Sequence, residues 1–319
     1  MTQLKKIAAS ILHGTDNAPQ TSAQVWGIDL KGNLTSRVYL NNQGKSFWTP
    51  WMDGWNNAPS NLIDITAAQQ GEASGLAQVW ALDEDGVLHS CSQTGVGGLG
   101  KWTAWESNWQ NAPKFSTICA ASQVGTDSAG LNRGAQFLGV DTNGTLYSTY
   151  QIPNAGSWQA WASKWGNAPQ NIKALTACKQ NNDKLVIWAL GKDNVLNVRA
   201  QTEVGGSWND WDADWRNPPF AFSAIGAVQQ GGDRGAQFWG IHGDGILTSI
   251  FEQSPGTNWT EWTQGNWHPS DPPNLKQIAG CQIWSHDSVF LWALNENGNI
   301  FFNHQLSAGG NWAKWEAWE

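Results

Sequence analysis

The sequence predicts an all-β propeller of six blades, and three observations predict it. A tryptophan-rich segment recurs six times at roughly fifty-residue intervals, as "FWTPWMDGWNNAP", "KWTAWESNWQNAP", "SWQAWASKWGNAP", "SWNDWDADWRNPP", "NWTEWTQGNWHPSDPP" and "NWAKWEAWE". Each copy follows three shorter apolar stretches in the same order, and the first and last copies resemble the internal ones. A stacked solenoid needs polar caps on its end repeats, so a closed ring fits the similarity of the ends.

Taken in order, the module opens with a small-residue stretch, seen in "LKKIAAS", "LIDITAAQ", "FSTICAAS", "NIKALTAC", "FSAIGAV" and "LKQIAGC". Such residues suit a strand crowded at an axis. A hydrophobic run follows, from "AQVWGID" through "AQVWALD", "AQFLGVD", "LVIWALG" and "AQFWGIH" to "VFLWALN". Turns such as "DLKGN" and "DTNGT" carry Gly or Asn where a hairpin needs positive φ. The third stretch runs from "GNLTSRV" to "GNIFFNH", and the tryptophan segment is fourth. One domain over residues 1–319 results, with blades at 4–61, 62–114, 115–170, 171–220, 221–274 and 275–319.

Trp26, Trp80, Trp188, Trp239 and Trp292, with Leu138 in the third repeat, are expected between blades. So are Leu34, Leu88, Leu146, Leu196, Leu247 and Ile300. Glycine follows the large residue in odd repeats ("WGID", "LGVD", "WGIH") and alanine in even ones ("WALD", "WALG", "WALN"), and odd repeats are longer between their first two strands. This predicts a pseudo-threefold alternation of blade pairs. The chain starts with an inner strand and ends with an outer one, so closure between the last and first blades is expected from side-chain packing.

Composition narrows the function classes. Hydrophobic residues make up 40% and charged residues 14%, with 35 glycines, as expected for a large core and many turns. The formal charge of −8 argues against a general phosphate-binding surface and hence against nucleic acid as a partner. No apolar run approaches membrane-spanning length. The start, "MTQLKKIAASILHG", lacks the long apolar region of a secretory signal, so a cytoplasmic location or non-classical export is expected. Cys91, Cys119, Cys178 and Cys281 show no CxxC pair and read as small buried thiols.

Eighteen of the 24 tryptophans lie in the fourth segments, more than packing alone requires. In an extended strand, residues three apart face opposite sides, so Trp48 is expected opposite Trp51, while Trp55 leaves the ladder before Asn-Ala-Pro. The first tryptophan of each trio is expected to wedge blades together. The second and third, Trp51, Trp55, Trp105, Trp109, Trp161, Trp165, Trp211, Trp215, Trp262, Trp267, Trp315 and Trp318, are the candidates to line six rim clefts. Sugars present apolar C–H faces ringed by hydroxyls, and an indole face beside amides or carboxylates complements them. Gln93, Gln151, Gln201, Glu252 and Gln305 share one third-strand position, and Gln24, Gln78, Gln136 and Gln237 share one in the second strand. Both sets read equally as binding groups or as solvent-facing strand residues.

The run "AQVWALDEDGVLHSCSQTGVGGLGKWTAW" resembles one blade of the bacterial and fungal β-propeller lectins, of both the tectonin type and the insect-pathogen fucose-binding type. The resemblance extends over all six repeats. It implies shallow glycan sites between blades for fucose, mannose or their O-methylated forms, with glycoconjugates, including those on cell surfaces, as partners. It also implies stacking by Trp51, Trp105, Trp161, Trp211, Trp262 and Trp315, with the third-strand glutamines as hydrogen-bond partners. Departures from the pattern are His89, Asn197 and Thr248, where many such lectins carry aromatics, and the Trp-x-Asn-Ala-Pro extension.

An enzyme is the rival class. The six histidines are scattered without metal-ligand spacing, "DEDG" at Asp83 reads as a hairpin turn rather than a calcium loop, and no nucleophile elbow or P-loop appears. No cofactor, metal or catalytic residue is expected. The remaining alternative is a protein-interaction propeller or toxin-associated scaffold, for which Arg133 and Arg234 in "RGAQF" are candidate surface groups.

Overall fold

The structure is a computed structural model that describes residues 3–12, 22–42, 45–71, 76–95, 101–126, 132–152, 157–163, 165–180, 182–230, 234–254, 258–263, 267–268, 271–283, 288–307 and 310–318. Six antiparallel sheets follow one another along the chain. The first blade holds Leu4–Leu12, Ser22–Asp29, Leu34–Asn42, Lys45–Trp48 and Met52–Asp53; the second holds Leu62–Gln69, Ala77–Asp83, Leu88–Ser92 and Glu106–Ser107. Three strands each build the third (Phe115–Thr126, Asn132–Asp141, Leu146–Tyr150) and fourth (Ile172–Lys179, Leu185–Gly191, Leu196–Ala200). Their tryptophan segments join through isolated bridges such as Gln151 to Trp158 and Gln201 to Trp208. The fifth comprises Phe222–Gln229, Ala236–His242, Leu247–Ser254 and Asn258–Trp259, and the sixth Leu275–Ile283, Ser288–Asn295, Ile300–His304 and Glu316–Ala317. The six-bladed propeller read from the repeats is therefore the fold.

Each inner strand neighbours the next, and the sixth returns to the first around a central channel of about 370 Å³. The second strands are buried on both faces, because each blade is covered by a neighbour on either side. That is why they read as continuous hydrophobic runs rather than alternating ones. Trp26, Trp80, Trp188, Trp239, Trp292 and Leu138 are fully buried, and the third-strand leucines and Ile300 are buried with them. The four thiols are free and buried as expected; burial pushes Cys119 up to about 12, so it is not a reactive thiolate.

The turn glycines do more than supply positive φ. At Gly245 (φ +83°) a Cβ would lie 2.4 Å from Asn274 Cα, and at Gly298 (φ +76°) 2.7 Å from the Leu4 carbonyl. The close approach lets each turn hold the next blade: Leu62 N donates to Gly32 O, Phe115 N to Gly86 O, Leu275 N to Gly245 O and Leu4 N to Gly298 O. Ring closure thus repeats the internal junctions. Gln277 adds a two-way bond to the Ile7 backbone, at 2.9 and 3.1 Å, and Leu4, Ile7, Val25, Trp48 and Trp51 pack on Phe290, Trp292 and Trp318.

The glycine–alanine alternation has a packing cause. A Cβ on Gly139 or Gly240 would stand 2.6 or 2.2 Å from the ring of Phe115 or Phe222, and one on Gly27 would strike Leu4 at 2.6 Å. Odd blades fold the first inner-strand side chain over a bare α-carbon; even blades fill that place with Ala81, Ala189 and Ala293. The extra length of the odd repeats lies largely outside the described residues.

Gly139→Ala is expected to lower stability by about 1–3 kcal/mol through overpacking. Adding Phe115→Leu, which copies the Leu62 and Ala81 pairing of the second blade, should restore part of the loss. Urea unfolding of the two variants checks this.

Candidate functional site

The tryptophan segment begins in register, with Trp48 opposite Tyr39, Trp102 opposite Gln93, Trp259 opposite Glu252 and Trp312 opposite Gln305. The next residue keeps one ladder bond through its backbone N–H and fills the other with its side chain. Thr49 Oγ1 accepts from Val38 N, Thr103 Oγ1 from Ser92 N, Asn209 Oδ1 from Ala200 N and Thr260 Oγ1 from Phe251 N, at 2.9–3.1 Å. This side-chain substitution breaks the alternation of faces. Consequently Trp48 and Trp51 do not face opposite sides: both meet Trp318 of the preceding blade, at ring separations of 4.9 and 5.4 Å.

The third tryptophan turns back. In "GWNNAP" and "NWQNAP", Gly54, Asn56, Asn57, Asn108, Gln110 and Asn111 adopt left-handed backbone around the short helices Trp55–Asn57 and Trp109–Asn111. Gly and Asn adopt this conformation most readily, which gives the Trp-x-Asn-Ala-Pro extension its role. It returns Trp55 to Trp26 of its own blade at 5.8 Å and presents it to Trp102 of the next at 4.8 Å. The same edge-to-face contact with the next blade's first tryptophan recurs for Trp109 (4.9 Å), Trp165 (5.2 Å), Trp215 (4.9 Å), Trp267 (4.9 Å) and Trp318 (4.9 Å).

These contacts divide the candidate residues. Trp55, Trp109, Trp165, Trp215 and Trp318 are buried wedges, and Trp267 is half-buried in the same place. The wedge expected of the first tryptophan is therefore formed chiefly by the third, because the left-handed turn drives it inward. Among the second tryptophans, Trp51, Trp105, Trp161 and Trp211 keep part of their surface in solvent. Trp262, packed on Phe222 and Phe238 as Trp161 is on Phe115 and Phe137, is buried, and so is Trp315 beside Trp267. Indole N–H groups anchor several: Trp161 to Gln110 O, Trp211 to Trp165 O, Trp262 to Arg216 O and Trp315 to Asp271 Oδ1, at 2.8–3.3 Å.

The third-strand amides and the Glu252 carboxyl are placed otherwise than expected. Gln93, Gln151, Gln201, Glu252 and Gln305 are all buried. Gln93 Oε1 accepts from Ala77 N, Gln201 Oε1 from Leu185 N, Glu252 Oε2 from Ala236 N and Gln305 Oε1 from Val289 N, at 2.9–3.2 Å. They also join blades. Gln123 donates to Gln201, Gln180 to Glu252 and Gln305 to Gln230, while Gly71 N donates to Gln151. Their polar atoms hold the ring together because buried amides must be paired, and no described arrangement turns them toward the rim. The second-strand set is likewise buried: Gln24 donates to Ser36, Gln78 to Ser90 and Gln237 to Ser249, while Gln136 is buried in the third blade.

Two groups at the clefts were not singled out by sequence. Arg37 and Arg199 lie over Trp318 and Trp165, at 4.7 and 5.5 Å; the repeated signal was arginine at the fourth third-strand position in "LTSRV" and "LNVRA". Asp271, in the loop that replaces Asn-Ala-Pro in the fifth repeat, accepts from Trp315 Nε1 at 2.8 Å and from His268 N at 2.9 Å. Of the predicted surface arginines, Arg234 is exposed over Phe251, and the Arg133 side chain lies outside the described residues. Among the described residues no three His, Cys, Asp or Glu side chains are grouped to hold a metal.

Burial raises the Asp271 carboxyl to about 6 against hydrogen bonds that favour its ionised form. A carboxyl raised above its unfolded value of 3.8 binds its proton more tightly in the native state, so its contribution to stability is greatest below about pH 4 and is lost as pH rises through about 6. Asp271→Asn is expected to flatten the dependence of Tm on pH between about 4 and 7, read by thermal unfolding across that range.

No protein-family model matches the chain, and no curated protein matches it in sequence. Solved structures do match in fold. A triple arginine-to-alanine variant of AofleA from Arthrobotrys oligospora superposes with a TM-score of 0.67 at 14% identity, covering 100% of this chain and 87% of that one. The fucose-specific lectin from Aleuria aurantia gives 0.65 at 16% identity, covering 99% and 97%. A lectin from Burkholderia pseudomallei gives 0.65 at 18% identity, covering 98% and 84%. Along its whole described length, then, this chain is similar in fold to propellers that include a fucose-specific lectin.

Proposed function

We propose that the protein is a non-catalytic, multivalent carbohydrate-binding propeller. The observation that supports this most directly is the set of half-exposed indoles, Trp51, Trp105, Trp161 and Trp211, each held at an equivalent inter-blade cleft by a buried tryptophan of the preceding blade. A fixed indole face costs little entropy when a sugar C–H face settles on it. The fold's neighbours include lectins solved with α-methyl fucoside and with Fucα1-6GlcNAc, so fucosylated glycans are the first ligands to test, with mannose and O-methylated sugars next.

Affinity at one shallow cleft is expected to be weak, about millimolar or −4 kcal/mol. Several such clefts on one rigid ring raise avidity by about 10²–10⁴ on a dense glycan surface. Trp262 and Trp315, whose faces are covered, are assigned to packing. The reading thus gives the ring unequal clefts rather than six equal ones.

A glycan array of fucosylated, mannosylated and O-methylated sugars, with soluble-sugar competition, tests the function; a blank array from folded protein overturns it. Trp105→Ala or Trp161→Ala should reduce array binding by about tenfold while leaving a cooperative unfolding transition. Trp109→Ala, which removes a wedge, should instead cost about 3–5 kcal/mol of stability. Chemical unfolding beside array binding separates the two effects.

A further inference from the structure

The inner strands sort charge. Lys5, Lys6, Lys173, Lys179 and Lys276 line the central channel against one carboxylate, Asp64, in a chain with 26 acidic and 18 basic residues. At the end where the inner strands begin, acids stand instead in the hairpin turns between second and third strands. Asp29, Asp83 and Asp141 are fixed there, the Oδ1 of each accepting from two turn amides at 2.8–3.0 Å.

Three of the five ammonium groups are engaged. Lys6 pairs with Asp64 at 3.2 Å and Lys179 with Asp183 at 2.7 Å, while Lys173 donates to Asn194 Oδ1 and Phe222 O at 2.6 and 3.0 Å. Lys5 and Lys276 have no carboxylate within 4 Å and no hydrogen-bond acceptor among the described residues.

Both belong to the junction that closes the ring. Gln277 bonds the Ile7 backbone in both directions, which sets Lys276 level with Lys5 and Lys6 on adjoining strands. Lys5 and Lys276 also hold the same place, the extra residue of the register shift near the start of each strand. Two like charges at one level of adjoining strands repel, and an anion between them relieves the repulsion.

The channel wall adds donors. Each inner strand is the edge of its sheet, and a side chain of one blade can take the edge amides of the next, as Asp64 takes Ile118 N and Thr66 takes Ala120 N. The corresponding amides of the sixth blade, Ile278 N and Gly280 N, meet Ala224 and Gly226, which carry no acceptor. A carboxylate brings one charge on two coplanar oxygens. A phosphate brings up to two charges on a tetrahedron of oxygens, which matches two ammonium point charges and donors on a further side. The channel, at about 370 Å³, admits a group of that size.

We infer that the channel mouth at the junction of the sixth and first blades binds a phosphate-class oxyanion, with Lys5 and Lys276 as its charged partners. The site lies on the inner strands, apart from the rim clefts, and does not rest on the carbohydrate-binding reading.

Calorimetric titration of the full chain at low ionic strength tests this, with inorganic phosphate in one arm and glycerol 3-phosphate in the other. Saturable binding of one anion per chain is expected, with a Kd of about a millimolar. Lys276→Gln should weaken it about tenfold, and Lys276→Arg, which keeps the charge, should restore most of the loss. Lys31→Gln, at an exposed turn outside the channel, should leave binding unchanged. In phosphate-free buffer the Tm of Lys276→Gln should equal or exceed that of the wild type, because a repulsion is removed, and phosphate should no longer raise it. Lys5→Gln gives the same comparison if Lys276→Gln does not fold. Binding of inorganic phosphate alone supports the site and assigns a free anion; tighter binding of the monoester supports it and assigns a phosphate carried on a larger molecule. No saturable binding in either arm, undiminished binding to Lys276→Gln and Lys5→Gln, or an equal loss in Lys31→Gln overturns the inference.

Discussion

The structure depends on one contact, the insertion of each blade's third tryptophan between its own second strand and the first tryptophan of the next blade. An indole buries roughly 150–250 Å², and at roughly 25 cal/mol per Å² each wedge contributes several kcal/mol. A domain's whole margin is about 5–15 kcal/mol, so six such wedges decide whether the ring exists. The contact is also directional. Its ring separations span 4.8–5.2 Å from junction to junction, including the one where the chain's end meets its beginning. A chain whose ends are not covalently joined can close because the closing junction is built from the same parts as the others.

That density of indoles creates a polar problem. The Nε1 groups of Trp26, Trp80, Trp188, Trp239 and Trp292 are buried and have no hydrogen-bond partner among the described residues. An unsatisfied buried donor costs about 1–3 kcal/mol. Each of these rings stands nearly perpendicular to the first tryptophan of the next blade, at 84–90°, and an edge-to-face pair brings ring-edge hydrogens against a π face. The third blade, with Leu138 in place of this tryptophan, has no such donor, and there Trp165 Nε1 reaches Ser148 Oγ at 3.1 Å.

Much of the fold was legible because it repeats. Small residues on inner strands, continuous apolar second strands and glycine turns are each dictated locally, and six copies make the pattern hard to miss. The candidate site was less legible for two physical reasons. Thr49 and its counterparts substitute for ladder bonds, so counting residues along an ideal strand put Trp48 and Trp51 on opposite faces when both face the same junction. Gln93 and its counterparts recur because the ring needs them as ties, and regularity of a polar residue in a repeat does not distinguish a tie from a ligand contact.

The second tryptophan holds the position where packing and exposure meet. A fully buried indole stabilises the ring but offers no face, and a fully exposed one offers a face that is not held in place. Trp51, Trp105, Trp161 and Trp211 are intermediate, each packed against the preceding blade's wedge and partly open to solvent. Trp262 and Trp315 show the same backbone position carried to the buried limit, with their indole N–H groups bonded to Arg216 O and Asp271 Oδ1. One register position thus yields either a buried or a partly exposed indole, so a ring of near-identical blades can keep its wedges uniform while its clefts diverge.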